Sequence, residues 1–179
     1  MRIIAGKYKR SSLQTLEGDN TRPTRDMVKE AVFSAVDFSS KRVLDLFSGS
    51  GAIGLEALSR GAEDAVFNDS SFAAVKIIKA NLAKFAERRS VYNLDYADCL
   101  NKLRGQRFDI VFLDPPYILT DFYQIFELLI SNELLNEDAM VIIETAKKTP
   151  LPLEYGDIKF LKAKNYGISK ISYYKRKEL

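Results

Sequence analysis

The feature that most constrains this chain is a glycine-rich turn set between an apolar strand and a helix. Arg42-Val43-Leu44-Asp45-Leu46-Phe47 reads as a nearly continuous buried strand, and Gly49-Ser50-Gly51-Ala52-Ile53-Gly54 follows almost at once. Ala52 to Arg60 then carries helical spacing, with Gly61 placed to stop it. A strand that enters a helix through G-x-G-x-x-G begins a βαβ unit, because the glycines permit both the tight turn and the close backbone approach.

The same texture repeats downstream. Ala65-Val66-Phe67, Ser90 to Leu94, Phe108 to Leu113 and Ala139 to Thr145 read as strands. Phe72 to Glu87, Asp98 to Leu103 and Asp121 to Ile130 read as the helices between them. In the longest of these, Val75, Ile78, Leu82 and Phe85 share one face. Five strands alternating with helices imply right-handed crossovers and a mainly parallel sheet with helices on both faces. Then the alternation stops. Ile158 to Ala163 and Ile168 to Lys175 are two strands joined through Asn165-Tyr166-Gly167, so a hairpin must place one strand antiparallel. Ahead of the sheet, Thr24 to Phe38 reads as a helix with Met27, Val28, Ala31, Val32 and Ala35 inward. Residues 1–25 read as an extension with a small hairpin through Ile3-Ile4-Ala5 and Ser12-Leu13-Gln14, and residues 26–179 as one α/β domain.

Composition narrows the chemistry. The 179 residues include no histidine, which removes the commonest general base and metal ligand, so no metal site is expected. Cys99 is the single cysteine, so no internal disulfide can form. No apolar run reaches the roughly 18 residues that span a membrane, and the opening lacks a leader pattern, so a cytoplasmic location is expected. Net charge is +3 but uneven. Arg2, Lys7, Lys9, Arg10, Arg22 and Arg25 crowd the first 25 residues against Glu17 and Asp19. Residues 159–179 hold seven basic side chains against Glu178, which leaves the stretch between acidic. Such a distribution suits a polyanion at the ends and an uncharged or cationic ligand in the middle, or simply a soluble surface.

Two ligand classes use the glycine turn, and Asp45 separates them. A pyrophosphate docked there would face this carboxylate, and like charges at about 4 Å repel by a few kcal/mol at intermediate dielectric. S-adenosylmethionine has no phosphate; its sulfonium and ammonium would be attracted. Asp69, 20 residues beyond Gly49, can accept hydrogen bonds from ribose hydroxyls. Asp98 could accept one from the adenine amine, or could serve only as a helix N-cap.

Asp114-Pro115-Pro116-Tyr117 closes the fourth strand at the ligand-binding edge of the sheet. The prolines fix the backbone and remove two donors, leaving carbonyls to face the cleft. An exocyclic base amine is a poor nucleophile, since its lone pair is delocalised into the ring. Asp114 and the Pro115 carbonyl can hold its N–H groups and turn the lone pair toward a methyl donor. Tyr117 would stack on the base. The bland alternative is a proline turn whose Asp caps the next helix.

Taken together, these residues resemble the Rossmann-like amino-methyltransferases, and more closely the bacterial 16S ribosomal RNA (guanine-N2)-methyltransferases of the RsmD type. The resemblance is carried by Met1-Arg2-Ile3-Ile4-Ala5-Gly6-Lys7-Tyr8, residues 21–30, Leu44 to Gly51, Glu56-Ala57-Leu58-Ser59-Arg60-Gly61-Ala62, Asp114 to Tyr117 and Tyr166-Gly167. It implies a seven-stranded sheet with the last strand antiparallel, S-adenosylmethionine as methyl donor and N2-methylguanosine as product. It also implies that Phe47, Gly49, Ser50 and Gly51 help hold the donor, that Arg22-Pro23-Thr24 closes over it, and that the basic extension contacts RNA. The partner would be ribosomal RNA within a small-subunit assembly intermediate, met by a monomer. Asp69 departs from the glutamate that family members often carry. A DNA adenine-N6 methyltransferase is the nearest rival, but strands and helices fill the space a sequence-reading module would need. A protein glutamine methyltransferase resembles Asn-Pro-Pro-Tyr instead. A nicotinamide-dependent oxidoreductase fits the glycines but not Asp45, and an inactive RNA-binding protein would not need the full set.

Overall fold

The computed structural model describes residues 1–16 and 23–177, with the side chains of residues 23–25 left out. Five strands and their crossovers come first: β1 (Arg42–Asp45), α2 (Ala52–Ser59), β2 (Asp64–Asn68), α3 (Phe72–Lys84), β3 (Val91–Tyr92), α4 (Tyr96–Lys102), β4 (Phe108–Leu113), α5 (Phe122–Ser131) and β5 (Leu135–Ala146). They are preceded by α1 (Pro23–Ala35) and followed by β6 (Glu154–Tyr155), β7 (Ile158–Tyr166) and β8 (Ser169–Arg176). One sheet has the order β3-β2-β1-β4-β5-β8-β7-β6. The pairs among β1 to β5 are parallel, and those of β8 with β5 and of β7 with β8 are antiparallel. The eighth strand is the two-residue β6 at the edge, paired with the start of β7. It is too short to leave a period in the sequence, which is why seven strands were expected.

Alternation along the parallel strands sends side chains to two cores. Val43, Ile110, Phe112 and Ile142 pack under α1, α2 and α3, whereas Leu44, Val111, Val141 and Ile143 pack under α4 and α5. Such strands are buried on both faces, so they read as apolar runs rather than as alternating ones. Gly54 lets α2 close on β2: a Cβ there would lie 2.3 Å from the Phe67 ring.

The first helix is rotated from its expected face. Val28, Val32 and Phe33 are buried, but Met27 is 53% exposed and Ala35 is also exposed. The buried face carries a charge among its apolar residues. Lys29 is turned inward, 3% exposed, to reach Glu56 of α2 at 3.3 Å. Glu56 is fully buried and also pairs with Arg60 at 2.9 Å. Its two oxygens accept the Ile4 and Ala5 N–H groups at 2.8 and 3.0 Å. A buried carboxylate is tolerable only with such partners.

This arrangement ties the N-terminal segment to α2. Ile3 and Leu13 join the core under α1 and α2, and the expected hairpin is found in a shifted register: an Arg2–Ser12 bridge flanked by the Ile3 N–H donating to the Ser11 carbonyl and the Leu13 N–H donating to the Met1 carbonyl, both at 2.9 Å. Gly6 crosses the end of α2 at φ +81°, where a Cβ would stand 1.8 Å from the Ser59 carbonyl oxygen.

Candidate active site

Asp45 ends β1 with its carboxylate 1% exposed, facing the start of α2. Its Oδ2 accepts the Gly54 N–H at 3.1 Å, so a strand-end acid occupies part of the N-terminus of α2. Gly51, the N-cap residue at φ 79°, offers no side chain for that purpose. Burial pushes the Asp45 carboxyl up to about 7, the Gly54 N–H works against this, and the negative charge of Asp69 adds to it. The ionised form is therefore kept short of compensating positive charge.

The loop between Asp45 and α2 is held from three sides. The Ser48 hydroxyl donates to the Asp45 carbonyl at 2.6 Å, and its backbone N–H donates to the Asn68 carbonyl at 2.9 Å. Asn68 is 1% exposed, and its amide group donates to the carbonyls of Leu46 and Leu94. Asp69 then clips the turn. One oxygen accepts the Gly49 N–H at 2.8 Å and the other accepts the Ser71 N–H at 2.8 Å. A carboxylate has about four acceptor sites, so lone pairs remain for a ligand.

These groups line a cavity of about 650 Å³ at the carboxyl ends of the strands, within the usual range for small-molecule sites. Of the residues expected to hold a ligand, it gathers Asp45, Phe47, Gly49, Ser50, Asp69 and Asp114. Gly51 lies in the turn beneath. Asp98 does not line it; α4 starts two residues earlier than expected, Asp95 is its N-cap, and Asp98 is exposed in the first turn. Thr24 and Arg25 lie in α1 without described side chains, and Arg22 lies outside the described residues.

The Asp114-Pro115-Pro116-Tyr117 turn follows β4 directly. Asp114 and Pro116 border the cavity, Pro115 is buried beneath, and Tyr117 stands outside at 70% exposed. Ile118 beside it is 87% exposed. Asp114 does not cap α5, because Asp121 does so by accepting the Gln124 N–H.

Several cavity residues gave no functional signal in the sequence: Met1, Leu16, Lys29, Ser70, Phe112 and Glu144. Glu144 could have been found by the rule that exposed Asp45, since it is a charge directly after the apolar run Ala139 to Ile143. Arg2, Lys7, Lys9 and Arg10 are exposed on the N-terminal segment. Lys7 is drawn to Glu87 at 2.8 Å, a bond that raises its pKa. Among the described residues no group of three or more Cys, Asp or Glu side chains is placed to hold a metal, and no helix is long and apolar enough to cross a membrane.

Comparison with known proteins agrees with this geometry. Residues 1–175 match the family described as Conserved hypothetical protein 95. YlbH of Bacillus subtilis is 36% identical over 99% of this chain and 100% of its own length. The ribosomal RNA small subunit methyltransferase D of Haemophilus influenzae is 36% identical over 84% of this chain and 81% of its own. The Escherichia coli protein yhhF superposes with a TM-score of 0.88 at 30% identity, covering 100% of this chain and 99% of that one. With the same fold along its whole length and a family match from the first residue to the last strand, the chain belongs to the Conserved hypothetical protein 95 family, that of the RsmD-type methyltransferases.

Proposed function

We propose that this protein transfers a methyl group from S-adenosylmethionine to the exocyclic N2 of a guanine in 16S ribosomal RNA. The observation that carries the reading is the position of Asp45. Its carboxylate accepts from Gly54 at the N-terminus of α2, where a dinucleotide would place its pyrophosphate. A second anion there would meet an unscreened negative charge, whereas a cation would be attracted and would favour the ionised carboxylate. The cavity therefore fits a cationic nucleoside and disfavours a nicotinamide dinucleotide.

S-adenosylmethionine supplies an electrophilic methyl and leaves as a neutral sulfide. The residues of this chain do the rest. Asp45 faces the positive end of the donor, Phe47 walls it, and Asp69 keeps acceptor capacity for ribose hydroxyls while fixing Gly49. Asp114 accepts one N–H of the base amine and the Pro115 carbonyl accepts the other. That grip turns the nitrogen lone pair toward the methyl, and positioning of this kind replaces a strong base. As the N–C bond forms and the S–C bond breaks, the bonding pair stays on sulfur, the nitrogen gains positive charge, and one of its protons passes along the hydrogen bond to Asp114. Tyr117, exposed at the rim, offers a stacking face to a base drawn out of its helix.

The acceptor is RNA. The name of the Haemophilus influenzae relative, a ribosomal RNA small subunit methyltransferase, supports this. So do the exposed Arg2, Lys9 and Arg10, to which Arg22 and Arg25 add charge. The protein acts as a monomer in the cytoplasm on a small-subunit assembly intermediate. Nucleoside mass spectrometry of ribosomal RNA treated with protein and methyl donor tests the reading. N2-methylguanosine is the expected product. N6-methyladenosine would move the activity to the rival class, and thermal stabilisation by NADH but not S-adenosylhomocysteine would end the methyltransferase reading.

A further inference from the structure

We propose that Glu144 is the residue that makes the acceptor pocket select guanine, by accepting the ring N1–H beside the amine that is methylated. This rests on the reading above and names the base-reading group that the reading lacks.

The placement follows from strand register. β4 and β5 pair in parallel through Ile110↔Met140, Val111↔Val141, Phe112↔Ile142 and Leu113↔Ile143. The next residue on one strand is Asp114, and on the other it is Glu144. Side chains alternate, and Phe112 and Ile142 both face the core under α1 to α3, so Asp114 and Glu144 emerge on that same side. Both line the cavity. Across β8, Glu144 is opposite Ile171, which is fully buried, and its predecessor in the face, Ile142, is fully buried too. Glu144 itself is half-buried at the mouth of the cleft, and its carboxylate has several acceptor sites to offer a ligand.

The chemistry of purine edges says what two such carboxylates can hold. Guanine presents two donors on adjacent atoms, the N2 amine and the N1–H. Adenine presents an amine next to a bare N1 acceptor. Two carboxylates on neighbouring strands, about 4.8 Å apart in the backbone, match two adjacent donors. With Asp114 on the amine, Glu144 falls to the N1–H. An adenine in the same pose would aim the N1 lone pair at a carboxylate, and a site built to pair a donor rejects a base that lacks it.

The test uses ribosomal RNA ligated from a synthetic strand that carries either guanosine or 2-aminopurine riboside at the modified position. 2-Aminopurine keeps the amine but has no N1–H. The wild-type protein is expected to prefer guanine by roughly 100-fold in kcat/KM. Glu144→Gln should lose activity on guanine, because a neutral amide oxygen accepts the N1–H less strongly than a carboxylate, while keeping or gaining activity on 2-aminopurine, because the amide N–H can donate to a bare N1. The preference then collapses toward unity, with S-adenosylhomocysteine affinity unchanged. Equal loss on both substrates, or weakened S-adenosylhomocysteine binding, would assign Glu144 to the fold or the donor site and overturn the proposal. Wild-type protein that forms no N2-methylguanosine would instead sink the underlying reaction.

Discussion

The two sides of the cleft are built to different standards. On the donor side, Asp45, Ser48, Ser50 and Asn68 are all buried, and the loop between them is pinned by hydrogen bonds from β1, β2 and α2. On the acceptor side, Asp114, Pro116, Tyr117 and Ile118 are all exposed. A small ligand entering a preformed pocket needs every wall in place beforehand. A base that arrives attached to a large molecule brings part of its own wall, and an exposed aromatic rim waits for it. Substitutions on the donor side should therefore disturb the fold, and those on the acceptor side should disturb only the chemistry.

The sharpest way to break that contrast is Asp114→Ala. Methyl transfer is expected to fall roughly 100- to 1,000-fold, as when one transition-state partner is removed, with stability and S-adenosylhomocysteine affinity intact. Single-turnover rates and calorimetry on the same preparation measure both, and a parallel loss of donor affinity would erase the distinction between the sides. Next comes Gly54→Ala, where the new Cβ meets a fully buried Phe67 ring at 2.3 Å. It should cost about 1–3 kcal/mol, read as a lowered urea midpoint and a Tm drop of about 2–4 °C per kcal/mol. An unchanged midpoint would mean that α2 is not locked against β2.

The smallest effect is a pH profile. Because burial pushes Asp45 up to about 7, the folded chain holds a proton there that the unfolded chain releases in the ordinary carboxylate range. Its contribution to stability is thus fullest at the acid end and fades as pH rises through that window. Affinity for the cationic donor runs the other way. It should tighten by up to about tenfold from pH 6 to 8 as the carboxylate ionises, and Asp45→Asn should flatten that profile in titration calorimetry. A profile unaffected by the substitution would detach Asp45 from the positive end of the donor.

What could be read from the sequence divides along the same line. β4 was expected over Phe108 to Leu113 and is found there, because a buried parallel strand writes its burial as an unbroken apolar run. β5 was expected from Ala139 and begins at Leu135, since Asn136, Glu137 and Asp138 carry no such signature. The backbone turn at Gly49 and Gly51 was legible because only glycine enters the left-handed region freely, and both residues do so. The contact that buries Lys29 of α1 was not. Lys29 and Glu56 look like surface charges on two helices until the fold brings them to 3.3 Å inside the protein. The capping role offered for Asp98 was hidden for a similar reason, as Asp95 three residues earlier is an equally good cap and takes the position.

Helix α2 has a different partner at each end. Its first turn touches the donor loop through Gly54 and Asp45, and farther along, Glu56 and Ser59 grip the backbone of residues 4 to 8. Eight residues of helix make a strut about 12 Å long. The spacing between the glycine loop and the N-terminal segment is thus set by one rigid helix rather than by a hinge. Under the proposed RNA contact, nucleotides that lie nearer or farther from a phosphate held by that segment would be out of gauge before any base is inspected.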